Sequence, residues 1–437
     1  MTQIHLLVLI HGMWGNPEHL AEAARIARET HSEPSSNGIT LHVLVAESIK
    51  EESTYDGVDW GGERIAKEVV DTVKGLEEKG DSVIRFSVTG YSLGGLIARY
   101  CIGVLHQQHF FDKVEPVNFN TIATPHCGLP RYPSFFSSIT SKLGPKLLSR
   151  TGEQFYCVDK WSPQGRPLLV VMADPGKHCV MTLYRNRVFY QALAAFKHIR
   201  IYANAVNDIT VPYVTASIQT SDPFADSETN GIEIDIHEKY PCLIENYSLP
   251  TVAPPKPLAP TVLSVDWFRS FKPSRPLLPP WFQFRFPLNL VLYSLLPLLV
   301  PMFISLALLR LSLASRSSRA RIKLLEQEAQ SGSQKTLVDM MAELEREMEE
   351  AVVDLIDNPD PSPIYQSEVS SKEHPIITPN HKKIADWLNS LPIKKELGYF
   401  PKVRNAHALI VCRDVKRFEA HKLGEGVVRH WATSFIL

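Results

Sequence analysis

Three near-continuous apolar runs constrain this chain more than any other feature: Ile4–Ile10 (IHLLVLI), Leu41–Ala46 (LHVLVA) and Val83–Val88 (VIRFSV). Strands of this kind have no polar face to turn to water, so they need cover on both sides, as inside a parallel sheet. Between the second and third runs, Asp59–Lys79 carries Ile65, Val69, Val70, Val73 and Leu76 at helical spacing and is closed by Gly80. Val117–Ala123, Leu168–Met172 and Ile199–Val206 supply further expected strands. Residues 1–225 thus predict an α/β fold with a doubly wound, mostly parallel sheet.

Composition is compatible with such a core, at 44% apolar and 21% charged over 437 residues. Lys and Arg number 46 against 47 Asp and Glu, a net charge of −1 that excludes a globally basic nucleic-acid binder. Cys101, Cys127, Cys157, Cys179, Cys242 and Cys412 are scattered without a CxxC pair, so neither a disulfide framework nor a zinc site is indicated. No metal and no cofactor is expected. Met1–His5 leads straight into an apolar strand, without the basic region or cleavage site of a signal peptide. A cytosol-facing catalytic part is the expectation.

The second half changes character. Proline (32) outnumbers glycine (22), and twelve prolines crowd between Pro250 and Pro301. Residues 226–285 read as a proline-rich linker, and Phe286–Leu309 then runs 24 residues without a charge. About 20 such residues span a bilayer core. Pro297 and Pro301 interrupt that run, and basic residues flank it on both sides: Lys272, Arg275 and Arg285 before, Arg310, Arg316, Arg319, Arg321 and Lys323 after. Both flanks are thus predicted cytosolic. A kinked hairpin over 286–311 satisfies both observations better than a single span, and it suits the monolayer of a lipid droplet as well as a bilayer. Residues 312–380 should hold an amphipathic acidic helix (Leu337–Ile356) and a connector. Residues 381–437 return to a globular pattern, with helices near Ile384–Leu391 and Val427–Phe435 and an apolar run Ala406–Cys412. The chain therefore reads as one domain opened by an insertion.

Gly90-Tyr91-Ser92-Leu93-Gly94 matches G-x-S-x-G. Roughly 0.15 such matches arise by chance in a chain of this size, so the context carries the signal. The expected strand Val83–Val88 precedes it and a helical Gly95–Leu105 follows, the setting of a nucleophile elbow. Gly90 and Gly94 would let the backbone turn, with Ser92 at the tip as nucleophile. His11-Gly12-Met13-Trp14-Gly15 follows the first strand, where the N–H of Met13 (or Trp14) could join that of Leu93 in an oxyanion hole.

The acid should follow a later strand, and Asp208 ends Ile199–Val206, with Asp174 after Leu168–Met172 as its rival. The base must come later still. His407 on a loop is preferred to His430 inside the closing helix, with His381 a more distant alternative. His126 comes too early in the chain for that role and is expected to shape the pocket floor. Gly128–Lys160, with Phe135, Phe136, Leu143, Leu147 and Leu148, could form an acyl pocket or lid, or ordinary packing.

Together LVLIHGMWGN, VTGYSLGGLIARY, NTIATPHCGL, NAVNDITVPY and NAHALIVCRD resemble the putative serine esterase or lipase family DUF676, and most of all its fungal lipid-droplet phospholipase type. The resemblance covers about residues 3–225 and 381–437. It implies an α/β-hydrolase interrupted by a membrane-binding insertion, acting on acyl esters of glycerolipids. Its partners would be membrane or lipid-droplet lipids, at the lipid droplet or the endoplasmic reticulum. An acyltransferase or a thioesterase would use the same three residues, and a non-catalytic lipid-surface scaffold could keep the fold.

Overall fold

The computed structural model describes residues 2–162, 164–176, 188–227, 229–252, 254, 264, 288–331 and 374–437. Eight strands form one sheet: β1 (Gln3–Ile10), β2 (Ile39–Val45), β3 (Ser82–Tyr91), β4 (Glu115–Ile122), β5 (His198–Asn204), β6 (Glu233–Ile236), β7 (Leu243–Ser248) and β8 (Ile393–Gly398). Their order is β2-β1-β3-β4-β5-β8-β7-β6. The six strands from β2 to β8 pair in parallel, whereas β7 and β6 are added antiparallel.

Alternation along β1 shows how the sheet is covered. Leu6, Val8 and Ile10 enter one core cluster, while Leu7 and Leu9 enter another on the opposite face. The first cluster is completed by α2 (Val58–Glu77) and α3 (Leu93–Gln107), the second by α1 (Ala21–Thr30) and the closing helix Glu425–Thr433. Each fully buried Leu, Ile or Val here contributes about 2 kcal/mol of transfer free energy. The chain leaves β1 toward β2 on one side and toward β3 on the other, so a crevice opens beyond the carboxyl ends of β1 and β3.

Several expectations are corrected. Leu168–Ala173 is a short helix starting after Pro167, not a strand. The supposed linker contributes β6 and β7 to the sheet. Most importantly, the chain does not reverse at Pro297 and Pro301: Leu288–Ser331 is one continuous helix of 44 residues containing both. Each proline removes one N–H from the ladder, and with a spacing of four the two gaps fall on the same face of a leucine-rich helix. Residues 312–331 thus continue this helix rather than opening a new segment. The amphipathic stretch Leu337–Ile356 and the flanking Lys272, Arg275 and Arg285 lie outside the described residues.

The long helix has two halves with different surroundings. From Val291 to Leu309 its side chains face outward, and the most apolar window has a mean hydropathy of 2.2 with 0% of its residues buried. From Ala314 onward it docks on the domain that holds the sheet, burying Ala314, Ser315, Ser318 and Ile322. Asp56 anchors the docked half. Its carboxylate, 0% exposed, accepts from Ser318 Oγ at 2.8 Å, Arg321 Nη2 at 2.9 Å and Arg64 Nη2 at 2.8 Å. Ser315 donates to the carbonyl of Lys146 at the end of α4 (Phe135–Leu147). Arg150, on α5 (Ser149–Phe155), bridges buried Asp59 and Glu326 of the long helix.

Candidate active site

Between the last residue of β3 and the first of α3 there is room for one residue, Ser92, held at φ 55° and ψ −125°. That is a costly conformation for a side-chain-bearing residue, kept here because both neighbouring elements are buried. The glycines around it are demanded by close approach. A Cβ on Gly90 would sit 2.4 Å from the Gly94 carbonyl oxygen, and one on Gly94 would sit 2.1 Å from the Ile10 carbonyl oxygen. The elbow is thus packed directly against the end of β1.

His407 and Asp208 reach Ser92 from the ends of neighbouring strands. Asp208 follows β5, and His407 lies in the turns after β8. His407 Nε2 is 3.0 Å from Ser92 Oγ, and His407 Nδ1 is 3.0 Å from Asp208 Oδ2. Asp208 Oδ2 also accepts from Asn204 Nδ2 at 2.7 Å, while Oδ1 accepts from the amides of Thr210 and Val211 at 3.0 and 2.8 Å. A carboxylate only accepts, so the imidazole proton sits on Nδ1 and the Nε2 lone pair faces the serine hydroxyl. All three residues are less than one-tenth exposed.

The loops are fastened to each other. The Ala406 amide donates to the Asn207 carbonyl at 2.8 Å, and the His407 amide to Asn405 Oδ1 at 3.2 Å. Tyr91, beside the nucleophile, donates its hydroxyl to the His407 carbonyl at 3.0 Å, its ring centroid 5.2 Å from the imidazole. Burial pushes the Tyr91 phenol well above its ordinary value, so it remains a donor. Tyr91 and Asn204 were not singled out in the sequence. Both lay inside quoted motifs, one residue before the serine and four before the aspartate.

The loop after β1, expected to supply an oxyanion donor, is also defined. Trp14 spends its amide on Thr54 Oγ1 at 3.2 Å, which leaves Met13 as the loop's donor of the two considered. Leu93 opens α3, where first-turn amides have no partner within the helix. Gly12 holds the loop against the nucleophile, since a Cβ there would lie 2.7 Å from Ser92 Cβ. His11 is fully buried behind it with Nδ1 3.1 Å from the Gly12 carbonyl, and burial lowers its pKa. Uncharged, it supports the turn.

The alternatives lie elsewhere. His430 pairs through Nδ1 with the Tyr202 hydroxyl at 3.0 Å, and burial, then Arg200, lowers its pKa to about 4. His381 meets the Gln219 carbonyl at 2.8 Å, and Asp174 pairs with Arg166 at 2.6 Å. His126 is buried against Thr121 Oγ1 at 2.9 Å, its pKa driven well down by burial and then by Arg99. Phe135 and Phe136 stand 75% and 79% exposed at the start of α4.

Strand order, the strained serine between strand and helix, and the chain order Ser, Asp, His define an α/β-hydrolase fold. The profile of the family described as Putative serine esterase (DUF676) matches residues 1–222, and the chain belongs to that family. Among its relatives, "Putative lipase C4A8.10" of Schizosaccharomyces pombe is 29% identical over 253 residues, covering 57% of this chain and 30% of the relative. "Putative lipase ROG1" of Saccharomyces cerevisiae is 27% identical over 222 residues, 49% of this chain and 28% of the relative. The match thus spans about three-tenths of the length of these relatives. Among solved structures, the phospholipase PlaB from Legionella pneumophila is 13% identical with a TM-score of 0.26, covering 50% of this chain and 43% of that one. An extracellular α/β-hydrolase from a Paenibacillus species is 22% identical with a TM-score of 0.21, covering 32% of this chain and 50% of that one.

Proposed function

We propose that this chain is a serine lipase that hydrolyses acyl esters of glycerophospholipids at a membrane or lipid-droplet surface, with its catalytic domain on the cytosolic side. The observation that carries this reading is the hydrogen-bonded line from Ser92 through His407 to Asp208, with 3.0 Å at each step. As the serine Oγ attacks the ester carbonyl, Nε2 of His407 takes its proton, and Asp208 stabilises the imidazolium that forms. The carbonyl oxygen becomes an oxyanion held by the amides of Met13 and Leu93. Collapse releases the lysolipid alcohol, protonated by His407. Water, deprotonated by the same imidazole, then frees the fatty acid and restores Ser92.

The lipid surface is supported by the long helix. Residues 288–309, at about 1.5 Å per residue, measure about 33 Å, close to the hydrocarbon thickness of a bilayer. Soluble proteins rarely leave so continuous an apolar surface uncovered. Arg310, Arg316, Arg319, Arg321 and Lys323 gather at the hydrolase end of that helix, which favours the cytosolic side for the enzyme.

The test is Ser92→Ala in the full chain, with fatty-acid release from phospholipid vesicles measured. Release should fall by about three orders of magnitude or more. Undiminished release would overturn the mechanism.

A further inference from the structure

A cavity of about 580 Å³ lies between the oxyanion loop and the foot of the apolar helix. Its walls include Trp14, Glu51, Glu52, Tyr55, Arg310 and Leu311. Trp14 is two residues from Gly12, where a Cβ would lie 2.7 Å from Ser92 Cβ, and the Gly12–Trp14 step spans at most about 7–8 Å. Arg310 is the first charged residue after the apolar run, so it sits at the level where a lipid's polar part begins. Among the described residues it makes no ion pair.

The other walls are of opposite character. Trp14 is 54% exposed, yet its indole is fixed by donating Nε1–H to the hydroxyl of buried Tyr55 at 2.7 Å. Glu51 and Glu52 are exposed beside the two rings, and the Glu51 amide is tied to the Gly15 carbonyl at 2.9 Å. One cavity therefore offers a guanidinium on its membrane side and, on its loop side, two aromatic rings with the Glu51 carboxylate and that of Glu52, the latter shared with Arg321 at 3.8 Å. The guanidinium matches a phosphate, and the carboxylates and rings match an ammonium group.

The geometry points to this cavity as the binding site for a zwitterionic glycerophospholipid headgroup, with phosphate on Arg310 and the ammonium group against Glu51, Glu52, Trp14 and Tyr55. It rests on the lipase reading and narrows its glycerophospholipid substrates to those with a zwitterionic headgroup. The phosphate and the ester carbonyls of one glycerophospholipid are separated by only a few bonds across the glycerol. A headgroup held here therefore leaves an ester within reach of Ser92. A neutral glyceride fills the ester position and leaves Arg310 without its anion. An anionic lipid satisfies Arg310 and places nothing positive beside the two glutamates.

The experiment uses the full chain in mixed detergent micelles holding dioleoyl phosphatidylcholine, dioleoyl phosphatidylglycerol or dioleoylglycerol at equal surface fraction. Fatty-acid release is read as ratios between lipids. Arg310→Met should lower the phosphatidylcholine-to-dioleoylglycerol ratio about tenfold, the scale of one charge-assisted hydrogen bond. Glu51→Gln should lower the phosphatidylcholine-to-phosphatidylglycerol ratio about threefold. Unchanged ratios, including equal losses on every lipid, overturn the assignment. If the parent chain releases fatty acid from none of the lipids, the lipase reading fails, and the site is then read by binding alone. The probe is a non-hydrolysable diether phosphatidylcholine, followed by the fluorescence that Trp14→Phe removes. Weaker binding by Arg310→Met supports the site, and equal binding refutes it.

Discussion

Asp56 is where the long helix is most sensitive to a single change. The carboxylate is 0% exposed and takes hydrogen bonds from Ser318 and Arg321 of that helix and from Arg64 of α2. Asp56→Asn keeps the shape, removes the charge, and turns an amide NH2 toward guanidinium N–H groups. Removing one partner from a buried ion pair costs about 3–5 kcal/mol. Here the arginines are partly open to water, 24% and 34% exposed at the side chain, and screening brings the expectation to about 2–3 kcal/mol. A penalty of that size raises the undocked population of residues 312–327 about thirtyfold or more. Limited trypsin digestion in detergent reads it directly, because Arg316, Arg319 and Arg321 lie within the docked turn. Cleavage there should accelerate by at least tenfold, with far smaller changes elsewhere. A cycle with Arg321→Met should show coupling of about 1 kcal/mol or more, since each variant breaks the same contact. Unaltered cleavage at these arginines, with additive single effects, would refute the view that Asp56 holds the helix.

Three further outcomes are expected. Asp208→Asn should lower kcat by about 10³–10⁴ with little change in KM, because the amide no longer holds the Nδ1–H tautomer; a loss under tenfold in steady-state assays would count against it. Gly12→Ala should reduce kcat by about 10² and leave the thermal midpoint nearly unchanged, because its Cβ would lie 2.7 Å from Ser92 Cβ and must push the oxyanion loop away. His5 is fully buried, and burial, then Arg85, lowers its pKa from 6.5 to about 3. Its folded form stays neutral while the unfolded chain protonates, so its contribution is intact above pH 6.5 and is lost as pH falls toward 3. Denaturant titrations of the parent and of His5→Gln should therefore converge by about 2 kcal/mol between pH 7 and pH 5. Parallel pH profiles would contradict the shift.

The hydrogen bonds of His5 explain why its neutral form is required. Ser87 Oγ accepts from both the amide and the side-chain nitrogen of Asn118 at 2.9 Å, so its own proton goes to His5 Nε2 at 2.7 Å. A protonated imidazole could not accept it.

Legibility in the sequence followed the range of the interactions involved. β1, β2 and β3 could be read because a strand covered on both faces announces itself in its own residues. β8 could not: half of Ile393-Lys394-Lys395-Glu396-Leu397-Gly398 is charged, and it is a strand because β5 and β7 flank it. Leu168–Met172 failed differently, since a short apolar run buried on all sides has no period to separate helix from strand. Ser92 was legible through its glycines, whose spacing reflects a local turn. His407 was placed by chain order and by its position on a loop, which are weaker signals. The Asp56 anchor left no trace, because it joins residues 262 and 265 positions apart.

One feature of the sheet governs how this chain can meet a bilayer. β7, where the described chain leaves the catalytic body before the long helix, and β8, where it returns, are adjacent strands of the same sheet. Both therefore lie on one side of any membrane, together with Ser92. A path that starts and finishes on the same side crosses an even number of times, zero included. However well its length matches a bilayer, the apolar half of the helix cannot be a lone passage. Were it to enter a membrane, an odd number of crossings between β7 and β8 would be excluded. Hydropathy alone would have allowed a single pass; strand pairing forbids it.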